Sequence, residues 1–115
     1  MPLLTLQLPA PLPPEREQEL IDNLTRTIAN KTQKPENYVM VIVQYERIFM
    51  AGSPKPAVFG DVRSIGALSG EVNRKLSSEI CFLLERFAQI PKERVYLNFS
   101  DIAPENWGWN GTVFG

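Results

Sequence analysis

The first residue able to do chemistry is the second in the chain. Pro2 directly follows Met1, and a residue that small after the initiator methionine normally allows it to be trimmed. Trimming would leave Pro2 with a free secondary amine. The rest of the composition draws attention to that amine. There is no histidine, which removes Ser-His-Asp triads, Cys-His dyads and most catalytic zinc sites. Cys81 is the only cysteine, so neither an internal disulfide nor a Cys-x-x-Cys redox pair can form. Acid–base chemistry near neutral pH then falls to a perturbed carboxylate, a perturbed lysine or the α-amine. Only the α-amine starts near pH ~8 without help. The plainer reading of Pro2 is a residue that opens an edge strand, where its missing N–H does no harm.

The segment behind Pro2 can support such an amine. Leu4-Thr5-Leu6-Gln7-Leu8 alternates apolar and polar residues as a half-buried strand does, and would fix the terminus against a core. A proline-rich loop, Pro9 to Pro14, follows. Pro14-Glu15 suits a helix start, and Leu20, Ile21, Leu24 and Ile28 mark one face of a helix over about residues 14–31. Lys34-Pro35-Glu36-Asn37 is a turn. The run Tyr38 to Tyr45 is apolar almost throughout and predicts a central strand covered on both faces.

After a break over residues 50–58, Phe59 to Ile65 predicts a strand and a loop ending at Gly70. Val72, Leu76, Ile80, Leu83, Leu84 and Phe87 give a second, buried helix over about 70–88, which carries Cys81. Pro91-Lys92-Glu93 turns the chain into a strand over Val95 to Phe99. Asn110-Gly111 between short apolar segments signals a hairpin in the tail.

This pattern is a β-α-β unit written twice. Pro35 and Pro91 stand 56 positions apart, as do Leu3 and Phe59, Leu20 and Leu76, Leu24 and Ile80, and Ile28 and Leu84. Right-handed crossovers then give an α+β fold: a four-stranded mixed sheet with two helices on one face, in a single domain over residues 1–115. The opposite sheet face is left bare, yet strand 38–45 is apolar on both sides. With no third helix to cover it, the expected cover is another copy of the chain.

Composition narrows the partners. The net charge of −1 provides no basic field for nucleic acid or anionic membrane. No apolar run approaches the ~20 residues of a membrane helix, and no signal peptide is visible. A cytoplasmic protein is expected, with leaderless secretion as the alternative.

The ordered set Pro2, Lys34-Pro35 before Tyr38, Ser64-Ile65-Gly66, Asn73-Arg74, Arg94-Val95-Tyr96-Leu97-Asn98, and Gly108-Trp109-Asn110 with Phe114 resembles the tautomerase superfamily. Within it, the resemblance is to the macrophage migration inhibitory factor family, from Met1 to Phe114. It implies a homotrimer whose three sheets wrap into a barrel, with an active site at each subunit boundary. It implies that Pro2 is a general base moving a proton between the α-carbon and the oxygen of a 2-oxo acid such as phenylpyruvate. No cofactor and no metal is implied. Lys34 and the Ile65 backbone N–H match groups that hold the substrate carboxylate. Tyr96 and Asn98 match positions supplied by the neighbouring subunit, and Tyr38, Trp109 and Phe114 match the aromatic wall. A base with a pKa near ambient pH suits this proton transfer, and desolvation together with the Lys34 cation would lower that of Pro2. Iminium formation by the secondary amine is the second-ranked chemistry. The other functional class is a cytokine-like binding protein, with a protein receptor and a vestigial pocket.

Each residue has a plainer role. Lys34 could be a solvated turn lysine, Tyr96 and Asn98 a polar strand face, and Trp109 and Phe114 interface anchors. The Ser64-Ile65-Gly66 segment with Gly70 lacks the spacing of a phosphate loop. Two departures from the family pattern stand out. Ala57-Val58-Phe59-Gly60 replaces the Cys-x-x-Cys of the animal cytokines, so their thiol chemistry does not carry over. Trp107 stands in place of a smaller aliphatic residue beside the expected pocket, which should reshape it.

Overall fold

Strand β1, Pro2–Leu8, alternates as expected: Pro2, Leu4, Leu6 and Leu8 are buried while Leu3, Thr5 and Gln7 face the other side. The computed structural model describes residues 1–115. Helix α1 spans Pro14–Thr32, β2 Met40–Tyr45, β3 Val58–Ser64, α2 Gly70–Ala88 and β4 Val95–Asp101. A terminal hairpin joins β5, Gly108–Trp109, to β6, Thr112–Val113. Its turn residues Asn110 and Gly111 both take positive φ, 54° and 79°, as a two-residue hairpin turn requires.

The sheet runs β2-β1-β3-β4, with parallel outer pairs and an antiparallel centre. The 56-residue offset holds for whole elements, since Pro2 and Val58 open β1 and β3 and Pro14 and Gly70 open the two 19-residue helices. Helix α1 starts on a proline at its first turn with Glu15 and Glu17 beside it, which suits the exposed N–H groups and dipole there. Helix α2 is capped by Ser69, whose hydroxyl accepts from the Val72 N–H at 3.1 Å. Both helices end on a glutamine in the left-handed region, Gln33 and Gln89. Leu20, Leu24 and Ile28 of α1 and Leu76, Ile80 and Leu84 of α2 pack with Leu4, Leu6 and Val62 in one core. Both helices therefore lie on one face of the sheet.

Two strand assignments need correction. Tyr38 lies in a 3-10 turn, Glu36–Tyr38, and the strand it was expected to open starts at Met40. That strand, β2, is an edge rather than a centre, and Met40 (60% exposed) and Ile42 (38%) look outward from it. An apolar run reports that both faces want cover but not what covers them. Conversely, β1 lies between β2 and β3 rather than at an edge. Pro2 is tolerated there because it is the first residue of the strand.

The open face carries three cross-strand rows: Met40-Leu3-Arg63-Ser100, Ile42-Thr5-Asp61-Asn98 and Gln44-Gln7-Phe59-Tyr96. A polar band crosses it, with Gln7 Nε2 donating to Gln44 Oε1 at 3.1 Å and Arg63 paired to Asp61 at 3.2 Å. Arg94 donates to the carbonyls of Ser53, Lys55 and Pro56 at 3.1, 2.8 and 3.0 Å, pinning the loop before β3 to the start of β4. No helix is long and apolar enough to cross a membrane.

Candidate active site

The Pro2 ring is fully buried, and its place in the ladder is opposite Ser64. Above it opens a cleft of about 260 Å³ walled by Met1, Tyr38, Met40, Trp107 and Trp109. The aromatic wall is assembled from three separate segments. Tyr38 meets Trp109 edge-on at 6.0 Å, and Phe114 stacks on Trp109 at 5.7 Å and 16°. The tail is folded back by the Phe114 N–H, which donates to the Trp107 carbonyl at 3.2 Å. Pro2, Tyr38 and Trp109 thus line one cleft, and Phe114 joins this group through its stack on Trp109.

The terminal amine in this structure, that of Met1, is held below its ordinary basicity, first by burial and then by the Lys34 cation. Both causes disfavour the protonated form. Lys34 reaches this place because α1 ends in a left-handed turn. Gln33 has φ 55°, and the Lys34 N–H donates to the Ala29 carbonyl at 3.1 Å. An apolar residue commonly follows such a turn and packs on the helix. At the matching position after α2, Ile90 does this and is only 2% exposed. Lys34 is instead half-buried with no carboxylate in salt-bridge range. A lysine so placed is a poor structural choice and a good anion site.

Ile65 follows β3, and its backbone N–H finds no acceptor within the chain. The turn beyond it is held by a residue that the sequence did not mark. Asp101, at the end of β4, accepts from the Gly66 N–H at 2.8 Å. Gly66 and Ala67 both take left-handed φ, 67° and 65°, so this turn needs an external tie. The Ile102 N–H also donates to the Ser64 carbonyl at 2.9 Å. The Ser64 hydroxyl, across the ladder from Pro2, is buried without a hydrogen-bond partner. No local pattern marks Asp101, because the register of β3 on β4 decides which carboxylate meets Gly66.

Tyr96 and Asn98 do not join this cleft. Both are exposed on the open face of β4, while Pro2 faces the helices. Pro2, Ser64 and Asp101 form one row across three strands. At about 3.3 Å per residue and about 4.8 Å per strand, the Asn98 Cα is about 14 Å from that of Pro2 and the Tyr96 Cα about 19 Å.

A larger cavity than the Pro2 cleft lies elsewhere, about 580 Å³ on the outer side of α2, with Cys81 in its wall. Cys81 is half-buried, because its position on α2 borders the packed face. Burial pushes its thiol up, against a smaller opposing effect of Lys92, which disfavours the reactive thiolate. No group of three His, Cys, Asp or Glu side chains converges to hold a metal.

Known proteins share both sequence and fold with this chain. A sequence profile described as macrophage migration inhibitory factor matches residues 1–115. The macrophage migration inhibitory factor of Xenopus tropicalis is 35% identical over 96 residues, 83% of this chain and 84% of that protein. The crystal structure of a macrophage migration inhibitory factor homologue from Prochlorococcus marinus superposes with a TM-score of 0.92 at 33% identity, covering 98% of this chain and 99% of that one. A more distant crystal structure, of a protein inactivated by 2-oxo-3-pentynoate, shares the fold at a TM-score of 0.88 and 18% identity. With a profile match over its whole length and a third of its residues shared with such relatives, the chain belongs to the macrophage migration inhibitory factor family.

Proposed function

We propose that this protein is a cofactor-independent keto–enol tautomerase of 2-oxo acids, phenylpyruvate-like compounds among them, with the amine of Pro2 as general base after removal of Met1. The observation that carries this reading is the place of Pro2, buried in the lining of an aromatic cleft, next to a Met1 amine that burial and the Lys34 cation hold below its ordinary basicity. An amine tuned in that direction is unprotonated closer to neutral pH and can accept a proton from a carbon next to a carbonyl.

In this mechanism the Pro2 nitrogen takes the proton from C3 of the 2-oxo acid, the C3–H electron pair moves into the C2–C3 bond, and the carbonyl oxygen becomes an enolate. Lys34 and the free Ile65 N–H hold the carboxylate, and Lys34 stabilises the negative charge as it develops. Protonation at oxygen gives the enol, and the reverse sequence returns the ketone. Tyr38, Trp109 and Phe114 flank the apolar part of the substrate and exclude water. Tyr96 and Asn98 act across a subunit boundary in a homotrimer, donating to the enolate or to a ring substituent. The assembly is supported by the outward-facing Met40, Ile42 and Tyr96 and by the distance of Tyr96 and Asn98 from the cleft of their own chain.

A binding protein with a silent pocket is the second reading: where Met1 is retained, the Pro2 nitrogen is an amide without basicity. The test compares three samples whose termini are checked by intact mass spectrometry: trimmed protein, protein retaining Met1, and Pro2→Gly. Enolisation of phenylpyruvate is expected from the trimmed form alone. Equal turnover by all three would refute Pro2 as the base.

A further inference from the structure

The proline-rich loop between β1 and α1 takes no part in the Pro2 site. β1 runs from Pro2 to Leu8 at about 3.3 Å per residue, which puts the loop about 20 Å from the cleft. It lies on the helix side of the sheet, where Leu12 packs against the core and lines a small depression with Leu8, Ala88 and Ile90. Subunits that meet through the open face leave it uncovered.

Every residue from Pro9 to Pro14 is a proline or precedes one. A proline ring fixes φ, and the residue ahead of a proline is held extended. The chain bends at Pro9 and Ala10, then runs without helix or strand through Pro13, whose φ of −54° and ψ of 139° are close to polyproline II. Three residues make one turn of that helix. Leu12 accordingly faces in, while Ala10-Pro11 and Pro13-Pro14 stand exposed on either side of it. Pro14 already belongs to α1, but its ring is placed by the ψ of Pro13 and by its own fixed φ, so the Pro11–Pro14 spacing is kept. The Pro11 and Leu12 carbonyls accept no backbone hydrogen bond. Arg16, two residues beyond Pro14, is exposed and has no salt-bridge partner.

We infer that this loop is a docking ridge for a protein domain of the SH3 type, which reads polyproline II in a groove of aromatic rings. The two outward pairs, each a residue and the proline after it, fill the spaces between the rings. Tyrosine or tryptophan donors in the groove reach the free carbonyls, and an acidic side chain beside it meets Arg16. The fold has already ordered the segment, so docking costs little entropy.

In the test the full chain is titrated into an isotope-labelled SH3 domain that selects Pro-x-x-Pro-x-Arg ligands, with a linear peptide of residues 9–17 as comparison. Saturable NMR shifts confined to the aromatic groove are expected, with the folded chain binding at least as tightly as the peptide. Pro11→Ala, Pro14→Ala and Arg16→Glu should each weaken binding about tenfold. Pro11 lies outside every helix and strand, so Pro11→Ala keeps the fold, which circular dichroism checks. An absence of groove shifts with the folded chain, whether or not the peptide binds, overturns the inference. Binding that survives Pro11→Ala overturns it as well.

Discussion

Replacing Asp101 by alanine isolates the contribution of the turn that presents the Ile65 N–H. In the folded chain the Asp101 carboxylate accepts from the Gly66 N–H at 2.8 Å, and the next two φ angles are left-handed, 67° and 65°. A hydrogen bond to a charged group is worth about 1.5–3 kcal/mol, and solvent at this exposed carboxylate brings the net loss to about 1–2 kcal/mol. The left-handed Ala67 costs about 1–2 kcal/mol to hold, so without its tie the turn has reason to relax. Relaxation moves the Ile65 N–H off the carboxylate it is proposed to bind. At about 1.4 kcal/mol per decade, KM for a 2-oxo acid should rise about 5- to 30-fold. The proton transfer is performed by Pro2, so kcat should change less than about twofold. Asp101→Asn keeps an acceptor oxygen and should stay near wild type. Initial rates of phenylpyruvate enolisation over a range of concentrations separate the two constants. An unchanged KM in Asp101→Ala, or a collapse of kcat at constant KM, would refute the reasoning.

Lys34→Met should act on two observables at once. Burial and the Lys34 cation both hold the Met1 amine below its usual basicity, and the Pro2 amine exposed by trimming is expected to meet the same two influences. Catalysis by the free base is therefore present above that lowered pKa and lost as pH falls through it. Without the cation the amine keeps its proton to higher pH, so the kcat/KM profile should move to the alkaline side while KM rises about tenfold. A profile that stays in place would detach Lys34 from the base. For the assembly, sedimentation at micromolar concentration should give a mass about three times the 13.0 kDa chain, and a stable monomer would remove Tyr96 and Asn98 from the site.

Much of this architecture is readable along the chain because it depends on near neighbours. Leu20, Leu24 and Ile28 recur at the helical period, Pro14 suits a helix start and Gly70 ends the loop before the second helix, so both helices appear within a residue of their observed limits. The 56-residue offset specifies two β-α-β units, and Asn110-Gly111 specifies the final turn. The composition confines near-neutral acid–base chemistry to few groups and so singles out Pro2. The family pattern then marks its aromatic neighbours. What depends on contacts between distant segments is absent from such patterns. The alternation in β1 is the same whether the strand is central or at an edge, and only strand order puts it between β2 and β3. The apolar run of β2 records a need for cover without naming the cover. The pairing of β3 with β4 puts Asp101 at Gly66 and leaves Tyr96 and Asn98 far from Pro2, since a register is a relation between two strands and neither contains it alone. Trp107 is conspicuous in the sequence as a bulky residue, but its place in the wall of the Pro2 cleft depends on β1, β2 and the tail meeting in space. Local periodicity specifies which side of an element seeks burial, and tertiary packing decides what that side meets.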